Sequence, residues 1–194
     1  MGNMPFDYKA FDPVAQVGME VPALAVRSDS GWKTLKDFAA AGKKQKMKVG
    51  ISGRGSFTHL ASAALFEKLG IEVIYVAYGT GSAPVELLGG RIDAALQWPA
   101  QFKAQADAGQ LNVLAVTGPE RVPLLPNVST AKEQGFDVDV VMWRGITVPK
   151  GTPKDVIEKL EKAIPGLTYS RALALALPAG ARTGGPRRQP CGGP

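Results

Sequence analysis

The sequence predicts an α/β fold, in which a parallel or mixed sheet is covered by helices. Between Val21 and about Lys162, short runs rich in β-branched and aromatic residues alternate with helical stretches, the pattern of repeated strand–helix units. The chain has 194 residues, of which 45% are hydrophobic. This is enough to bury a core as one α/β unit of one or two lobes.

The individual elements follow from local patterns. The strand candidates, in chain order, are "VPALAVR", "MKVGIS", "EVIYVAY", "RIDAALQ", "LNVLAVTG" and "VVMWRGITVP". The helix candidates are "TLKDFAAAGKK", "HLASAALFEKLG", "APVELLGG", "PAQFKAQADAG", "TAKEQG" and "TPKDVIEKLEKA". Thr34, Thr130 and Thr152 each stand three residues before a carboxylate, which is a capping signal for the start of a helix.

The end of the chain has a different composition. After Ala163 the helical pattern stops, and residues 169–194 contain arginines but no acidic residue. We expect this segment to be a disordered basic tail. The alternative is that its sequence comes from a shifted reading frame.

Composition excludes several classes of function. The formal charge is +6, but no basic stripe with interleaved aromatic residues is visible, so we expect no nucleic-acid partner. The single cysteine, Cys191, and the single histidine, His59, leave no disulfide framework and no multi-ligand zinc site. We expect no metal, no cofactor and no direct membrane insertion. The start "MGNMPFDYKAFDPV" lacks the pattern of an export signal.

A glycine- and hydroxyl-rich loop, "KVGISGRGSFTHL" at residues 48–60, is the strongest site candidate. Ser52 to Ser56 follow a predicted strand and lead into a helix that begins near Thr58. The first-turn amides of such a helix have no intrahelical partners, so they form an anion site from backbone alone. The spacings of a phosphate loop, a dinucleotide fingerprint and a nucleophile elbow are all incomplete. The alternative is that Ser56 or Thr58 only caps the helix.

Several segments together resemble the periplasmic solute receptors of tripartite tricarboxylate transporters, also called Bug-type receptors. The resembling segments, in family order over about residues 7–163, are "DYKAFDPVAQVGMEVPALAVRSDSGWKTLKDF", "KVGISGRGSFTHLASAALFEKLG", "VAYGTGSAPVELLGGRIDAAL", "AGQLNVLAVTGPERVPLLPNVSTAKEQGF" and "MWRGITVPKGTPKDVIEKL". The resemblance implies a type II periplasmic-binding-protein-like fold with one complete lobe and a partial second lobe. Compared with the family pattern, the chain resembles a receptor that is truncated at the N-terminus and altered at the C-terminus.

The resemblance also implies a division into lobes. Residues 28–141 would form lobe 2, which binds the ligand, and residues 1–27 and 142–168 would form a partial lobe 1. The runs "VPALAVR" and "VVMWRGITVP" would be the hinge strands between them. The implied location is the periplasm. The implied partners are a small carboxylate, which could be a tricarboxylate, a dicarboxylate, an amino acid or an aromatic acid, and the membrane transporter subunits.

In such receptors a carboxylate lies between the lobes, and the resemblance implies which residues bind it. The candidates are Ser52, Gly53, Gly55, Ser56, Thr58 and His59 in the loop, Tyr78 and Gly79 after the next strand, Asp93 and Gln97 at the floor, and Trp143 as a wall. Arg54 would pair with a second carboxylate or remain solvated. Asp93 and Gln97 could equally be ordinary strand-end residues, and Trp143 a core residue. Ala77 and Gly79-Thr80 depart from the family pattern around Tyr78, so the ligand is not named.

Three rival functions remain open at this level. The effector domain of a LysR-type regulator has the same two-lobed fold and binds small anions. An enzyme would use Ser56 or Asp93, although Ser56 and His59 on one helical turn rarely have the geometry of a triad. The third possibility is a non-functional receptor fragment.

Overall fold

The computed structural model describes residues 6–79 and 83–168, whose strands and helices alternate as predicted. The strands are β1 (Phe11–Glu20), β2 (Ala23–Arg27), β3 (Met47–Ile51), β4 (Val73–Ala77), β5 (Ala94–Gln97), β6 (Leu111–Val116) and β7 (Met142–Pro149). The helices are α1 (Leu35–Gly42), α2 (Phe57–Leu69), α3 (Ala83–Leu88), α4 (Pro99–Asp107) and α5 (Lys154–Thr168), with short 3₁₀ turns at Tyr8–Ala10 and Ser28–Ser30. No helix within these residues is long and apolar enough to cross a bilayer.

The chain divides into two compact units, and each is described by itself. The larger unit is Gln16–Ile146, and the smaller one combines Met1–Ala15 with Thr147–Pro194. In the smaller unit, the backbone N–H of Lys150 donates to the carbonyl of Ala10 at 2.9 Å. Strands β1 and β7 pair in a two-stranded sheet, and the unit boundaries fall within both strands.

A five-stranded sheet in the order β4-β3-β5-β2-β6 forms the centre of the larger unit. Strand β3 is parallel to β4 and β5, whereas β2 is antiparallel to both β5 and β6. The carboxyl ends of β3, β4, β5 and β6 therefore lie at one edge of the sheet. The loops that follow these strands open at that edge, where α/β sheets bind ligands.

The core lies on both faces of this sheet. Leu24 and Val26 of β2 belong to one buried cluster with Phe38 of α1 and Leu65 of α2. Ala23 and Ala25 of β2 belong to a second cluster, which includes Leu87 of α3 and Phe102 of α4. Successive side chains of a strand point to opposite faces, so β2 is buried on both sides. This explains its nearly continuous apolar sequence.

Two elements differ from the sequence prediction. Strand β1 was not predicted, because "FDPVAQVGME" contains Pro13 and Gly18 and buries only Val14, and such a strand gives little hydrophobic signal. The stretch "TAKEQG", predicted as a helix, forms turns. Its Thr130 and Glu133 make the reciprocal capping bonds, but six residues closed by Gly135 are too few to propagate a helix.

Both expected hinge runs form strands. "VPALAVR" contains β2, which lies inside the five-stranded sheet between β5 and β6, since both of its faces are apolar and buried. Strand β7, from the other run, pairs with β1, and the hinge role of the two runs stays a prediction. The lobe boundaries at residues 27/28 and 141/142 stay a prediction. The tail at 169–194 and the loop residues Thr80 and Gly81 lie outside the described residues.

Candidate ligand-binding site

The loop between β3 and α2 turns sharply at one glycine. Gly55 has a φ of +76°, a left-handed conformation that favours glycine because it has no Cβ. Ser56 is the N-cap of α2, and its hydroxyl accepts a bond from the N–H of His59 at 3.3 Å. The amide of Ser56 donates to the carbonyl of Gly53 at 3.2 Å. The loop is therefore a closed turn that leads directly into the helix.

The hydroxyl groups of the loop are used within the site. Ser56 Oγ donates to the carbonyl of Gly53 at 2.7 Å, so the Thr58 hydroxyl must donate in its 3.0 Å contact with Ser56 Oγ. Thr58 Oγ1 also accepts from the N–H of Ser52 at 3.0 Å, and Ser52 Oγ donates to Gln97 Oε1 at 3.2 Å. Thr58 is only 2% exposed, and the three hydroxyls hold the loop through these bonds.

Four backbone amides at the start of α2 have no hydrogen-bond partner among the described residues. They belong to Gly53, Arg54, Phe57 and Thr58. The amides of Ser52, Gly55 and Ser56 are occupied, as is that of His59. Phe57 and Thr58 are the first two residues of α2, so their N–H groups lie at the positive end of the helix dipole, which attracts anions, whereas Gly53 and Arg54 belong to the loop before the helix. The anion site at this loop stays a prediction, and the free donors there are backbone groups rather than hydroxyls.

His59 supports the loop from the first turn of α2. Its Nδ1 accepts a hydrogen bond from the N–H of Gly55 at 3.0 Å, so the ring proton is on Nε2 in the neutral form. The ring packs edge-on against Tyr75 of β4, with centroids 4.6 Å apart, and burial raises the pKa of the Tyr75 hydroxyl. His59 thus fixes Gly55 in the turn.

Gln97 and Trp98 lie beside the loop at the end of β5. The Gln97 side chain is fully buried, and its Nε2 has no partner among the described residues. The Trp98 ring is stacked on the Phe57 ring with centroids 5.9 Å apart and an interplanar angle of 13°. Gln97 was predicted in the site, but Trp98 was not. The sequence feature that could have indicated Trp98 is its position, directly after the end of a strand and before Pro99 at the start of α4.

Tyr78 and Gly79 follow β4 at the same edge of the sheet. The N–H of Tyr78 donates to the carbonyl of Ile51, the last residue of β3, at 3.0 Å. The half-buried Tyr78 ring packs on the core cluster that contains Leu87. Gly79 has a φ of +70°. The structure thus brings the backbone of this segment next to β3, while the tyrosine ring contributes to the core.

The structure does not bring Asp93 or Trp143 to the loop. Asp93 precedes β5, and its Oδ2 accepts from the N–H of Lys48 at 2.7 Å. It lies at the opposite end of β5 from Gln97, roughly 13 Å away at the rise of a strand. Asp93 is therefore not brought to the loop together with Gln97, because an extended strand separates the two residues. Trp143 is 65% exposed on β7, outside the five-stranded sheet.

Two further site expectations concern charge and metals. Arg54 is exposed and has no ion-pair partner among the described residues, so its guanidinium is available beside the free amides. Within residues 6–79 and 83–168, no group of three or more His, Cys, Asp or Glu side chains is placed to hold a metal ion.

The sheet order and the amide cluster at its carboxyl edge define a class, the substrate-binding proteins of the periplasmic type. A solute-binding protein from Polaromonas, solved without ligand, is similar to the chain with a TM-score of 0.77 and 33% identity, covering 88% of this chain and 60% of that protein. The chain belongs to the tripartite tricarboxylate transporter family receptors, whose family model matches residues 1–177.

Relatives of this family extend the comparison. A UPF0065 protein of Agrobacterium vitis is 35% identical over 164 residues, which are 81% of this chain and 47% of that protein. A Rhodopseudomonas palustris protein solved with adipate has a TM-score of 0.73 and is 25% identical. The match covers 88% of this chain and 58% of the adipate-bound protein. MatC of the same organism, solved with bound malate, has a TM-score of 0.68 and is 28% identical. The match covers 80% of this chain and 54% of MatC. The chain spans about half the length of the curated relatives it matches.

These comparisons confirm the predicted family and the periplasmic-binding-protein fold. They also confirm, at the level of the family, a substrate-binding receptor rather than an enzyme. They favour the receptor over the LysR-type regulator.

Proposed function

We propose that the chain binds a small carboxylate at residues 52–58 as the solute receptor of a tripartite tricarboxylate transporter. The observation that carries this proposal is the set of unpaired amides of Gly53, Arg54, Phe57 and Thr58 at the carboxyl edge of the sheet. Adipate and malate, bound by two solved relatives, are both carboxylates. A carboxylate offers several acceptor sites in one group, which matches a cluster of neighbouring N–H donors.

The proposed roles of the site residues follow from their contacts. One carboxylate lies over the free amides, and Arg54 is available to a second. Ser52, Ser56 and Thr58 hold the loop through their hydroxyls, and Gly55 and His59 fix its turn. Bonds from N–H groups to an anion are stronger than bonds between neutral groups.

We further propose a periplasmic location and membrane transporter subunits as partners, both from the family. BugD, one of the similar solved structures, is a periplasmic binding protein. Since the chain covers only part of each relative, these assignments concern the whole receptor.

The test removes one free amide without changing the fold. Phe57 is the first residue of α2, where proline is tolerated because its missing N–H has no helical partner. Ser56 is already extended, with φ −69° and ψ 165°, as a residue before proline requires. We expect Phe57→Pro to weaken malate binding about tenfold or more in calorimetry, the loss of one hydrogen bond to a charged group.

Phe57→Ala is the matched control, since it loses the same ring but keeps the amide. We expect this variant to bind malate nearly as the parent chain does. Equal affinities of the proline and alanine variants would refute the role of this amide. Amide NMR shifts confined to segments other than 52–58 would refute the site itself.

A further inference from the structure

A stacked aromatic pair adjoins the free amides. Phe57 carries one of the four unpaired amides, and its ring lies nearly parallel to that of Trp98, at 13° and 5.9 Å. Both rings are partly exposed. The indole N–H of Trp98 donates to no described residue. The two residues come from different elements, α2 and the end of β5, and meet at the carboxyl edge of the sheet.

A second observation also points to a ligand at this place. The side chain of Gln97, the neighbour of Trp98, is fully buried, and its Nε2 has no acceptor among the described residues. Its Oε1 accepts from Ser52 in the loop at 3.2 Å, so the amide group lies directly beside the site. Buried polar groups are nearly always paired. An acceptor is therefore missing here, and a ligand oxygen would supply it.

We propose that the carboxylate bound at this site carries an aromatic ring. Its carboxylate lies on the amides of Gly53, Arg54, Phe57 and Thr58, and its ring packs on the Phe57–Trp98 pair. This inference rests on the proposed function, because it assumes that the loop binds a carboxylate.

The chemistry of the surroundings selects this class of ligand. The hydroxyls of Ser52, Ser56 and Thr58 already donate to groups within the site, so they have no proton left for a further ligand oxygen. The neighbouring surface is formed by two aromatic rings instead. Aromatic rings gain from offset stacking beyond the burial of their area. A ligand with a planar ring attached to its carboxylate can bind the free amides and stack on the aromatic pair.

The experiment compares three carboxylates with the full chain. Benzoate has a flat ring, cyclohexanecarboxylate has a similar apolar volume without π electrons, and propionate has no ring. We expect benzoate to bind about three- to tenfold more tightly than cyclohexanecarboxylate, the size of a stacking contribution, and propionate to bind most weakly. Amide NMR titration follows the N–H signals of the loop and the indole signal of Trp98.

Variants of Trp98 test whether its ring causes the preference for benzoate. We expect Trp98→Leu to reduce the preference for benzoate over cyclohexanecarboxylate to about one, and Trp98→Phe, which keeps a ring, to retain most of it. Tyr8→Leu is the control, because Tyr8 is an aromatic residue that is 81% exposed and lies in the 3₁₀ turn before β1; we expect no change. Circular dichroism verifies that each variant is folded.

The outcomes separate the two proposals. If all three carboxylates shift the loop amides but benzoate shows no preference, or the preference survives in Trp98→Leu, the aromatic inference is overturned and the receptor function stands. If none of the three, nor malate, shifts the amides of residues 52–58, the proposed function itself fails.

Discussion

At the scale of single residues, Gly55 determines how the chain passes from β3 to the helix. Its φ of +76° places the Gly55 amide against His59 Nδ1 and lets Ser56 cap α2. A Cβ on Gly55 would meet no atom within 4 Å. Any cost of adding a side chain there comes from the backbone conformation alone.

We therefore expect Gly55→Ala to lower the free energy of unfolding by roughly 1 to 2 kcal/mol, the cost of a left-handed alanine. It should also weaken malate binding, because relief of the strain moves the neighbouring amides. Urea denaturation and calorimetry measure the two effects. Gly53→Ala is the matched control, since Gly53 has equal space but no positive φ. Similar losses in both variants would contradict this explanation.

Sequence predicted part of the site at this scale. The strand–loop–helix geometry of the candidate loop could be predicted from local spacing, because a strand, a glycine turn and a helix start are all near neighbours in sequence. The stacking of Phe57 on Trp98 could not, since it depends on β3 and β5 being adjacent in the sheet. Asp93 was misplaced because it precedes the four residues of β5, an extended strand that ends at Gln97, so the two side chains lie at opposite ends of β5.

At the scale of elements, helix α1 begins with a complete capping box. Thr34 Oγ1 accepts from the N–H of Asp37 at 3.2 Å, and Asp37 Oδ2 accepts from the N–H of Thr34 at 2.9 Å. The N–H of Lys33 and the Thr34 hydroxyl lower the pKa of Asp37 below its ordinary value of 3.8. The bonds favour the charged carboxylate, which is the form that caps the helix.

This pKa shift predicts a pH dependence of stability. A carboxylate with a lowered pKa in the folded state contributes stability above the pKa of the unfolded chain, and that contribution is lost as pH falls through the folded pKa. We expect Asp37→Asn to reduce the free energy of unfolding at pH 7, and we expect this difference from the parent chain to shrink as the pH falls below the ordinary carboxyl pKa of 3.8. Urea denaturation over this pH range provides the measurement.

The control is Asp139→Asn, an exposed carboxylate without a hydrogen-bond partner among the described residues. It should follow the parent chain across the range. An Asp37→Asn profile parallel to that of the parent chain would show that this carboxylate does not contribute to the acid sensitivity.

Elements with a strong local signal were predicted correctly, whereas the conformation of "TAKEQG" was not. Thr34 and Asp37 are three residues apart, so their helix start was visible. The turn at "TAKEQG" is instead held by Gln134, whose Nε2 donates to the carbonyl of Leu114 at 2.7 Å while its Oε1 accepts from the N–H of Leu35 at 2.9 Å. These partners are remote in sequence, so the local pattern indicated a helix.

At the scale of the whole molecule, stability depends on the two-sided burial of β2. Leu24 is fully buried in the core cluster that contains α1 and α2. We expect Leu24→Ala to cost about 2 to 5 kcal/mol of unfolding free energy, through lost burial and the cavity it leaves. Leu60→Ala, at a side chain that is 57% exposed on α2, should stay within about 0.5 kcal/mol. Equal effects in chemical denaturation would show that β2 is not a core strand.

The place of β2 in the sheet also sets the order in which the chain can fold. Strand β2 emerges from the ribosome before β3, β4 and β5, yet its partners are β5 and β6, with Ala23 opposite Gln97 and Arg27 opposite Leu111. Until the ribosome has made β6, this apolar strand has no complete pairing partner. Closing loops of this length costs entropy before any contact is gained, which slows folding. The nascent chain therefore carries an apolar strand without its pairing partners until β6 has been made, and an unpaired apolar strand is prone to aggregation.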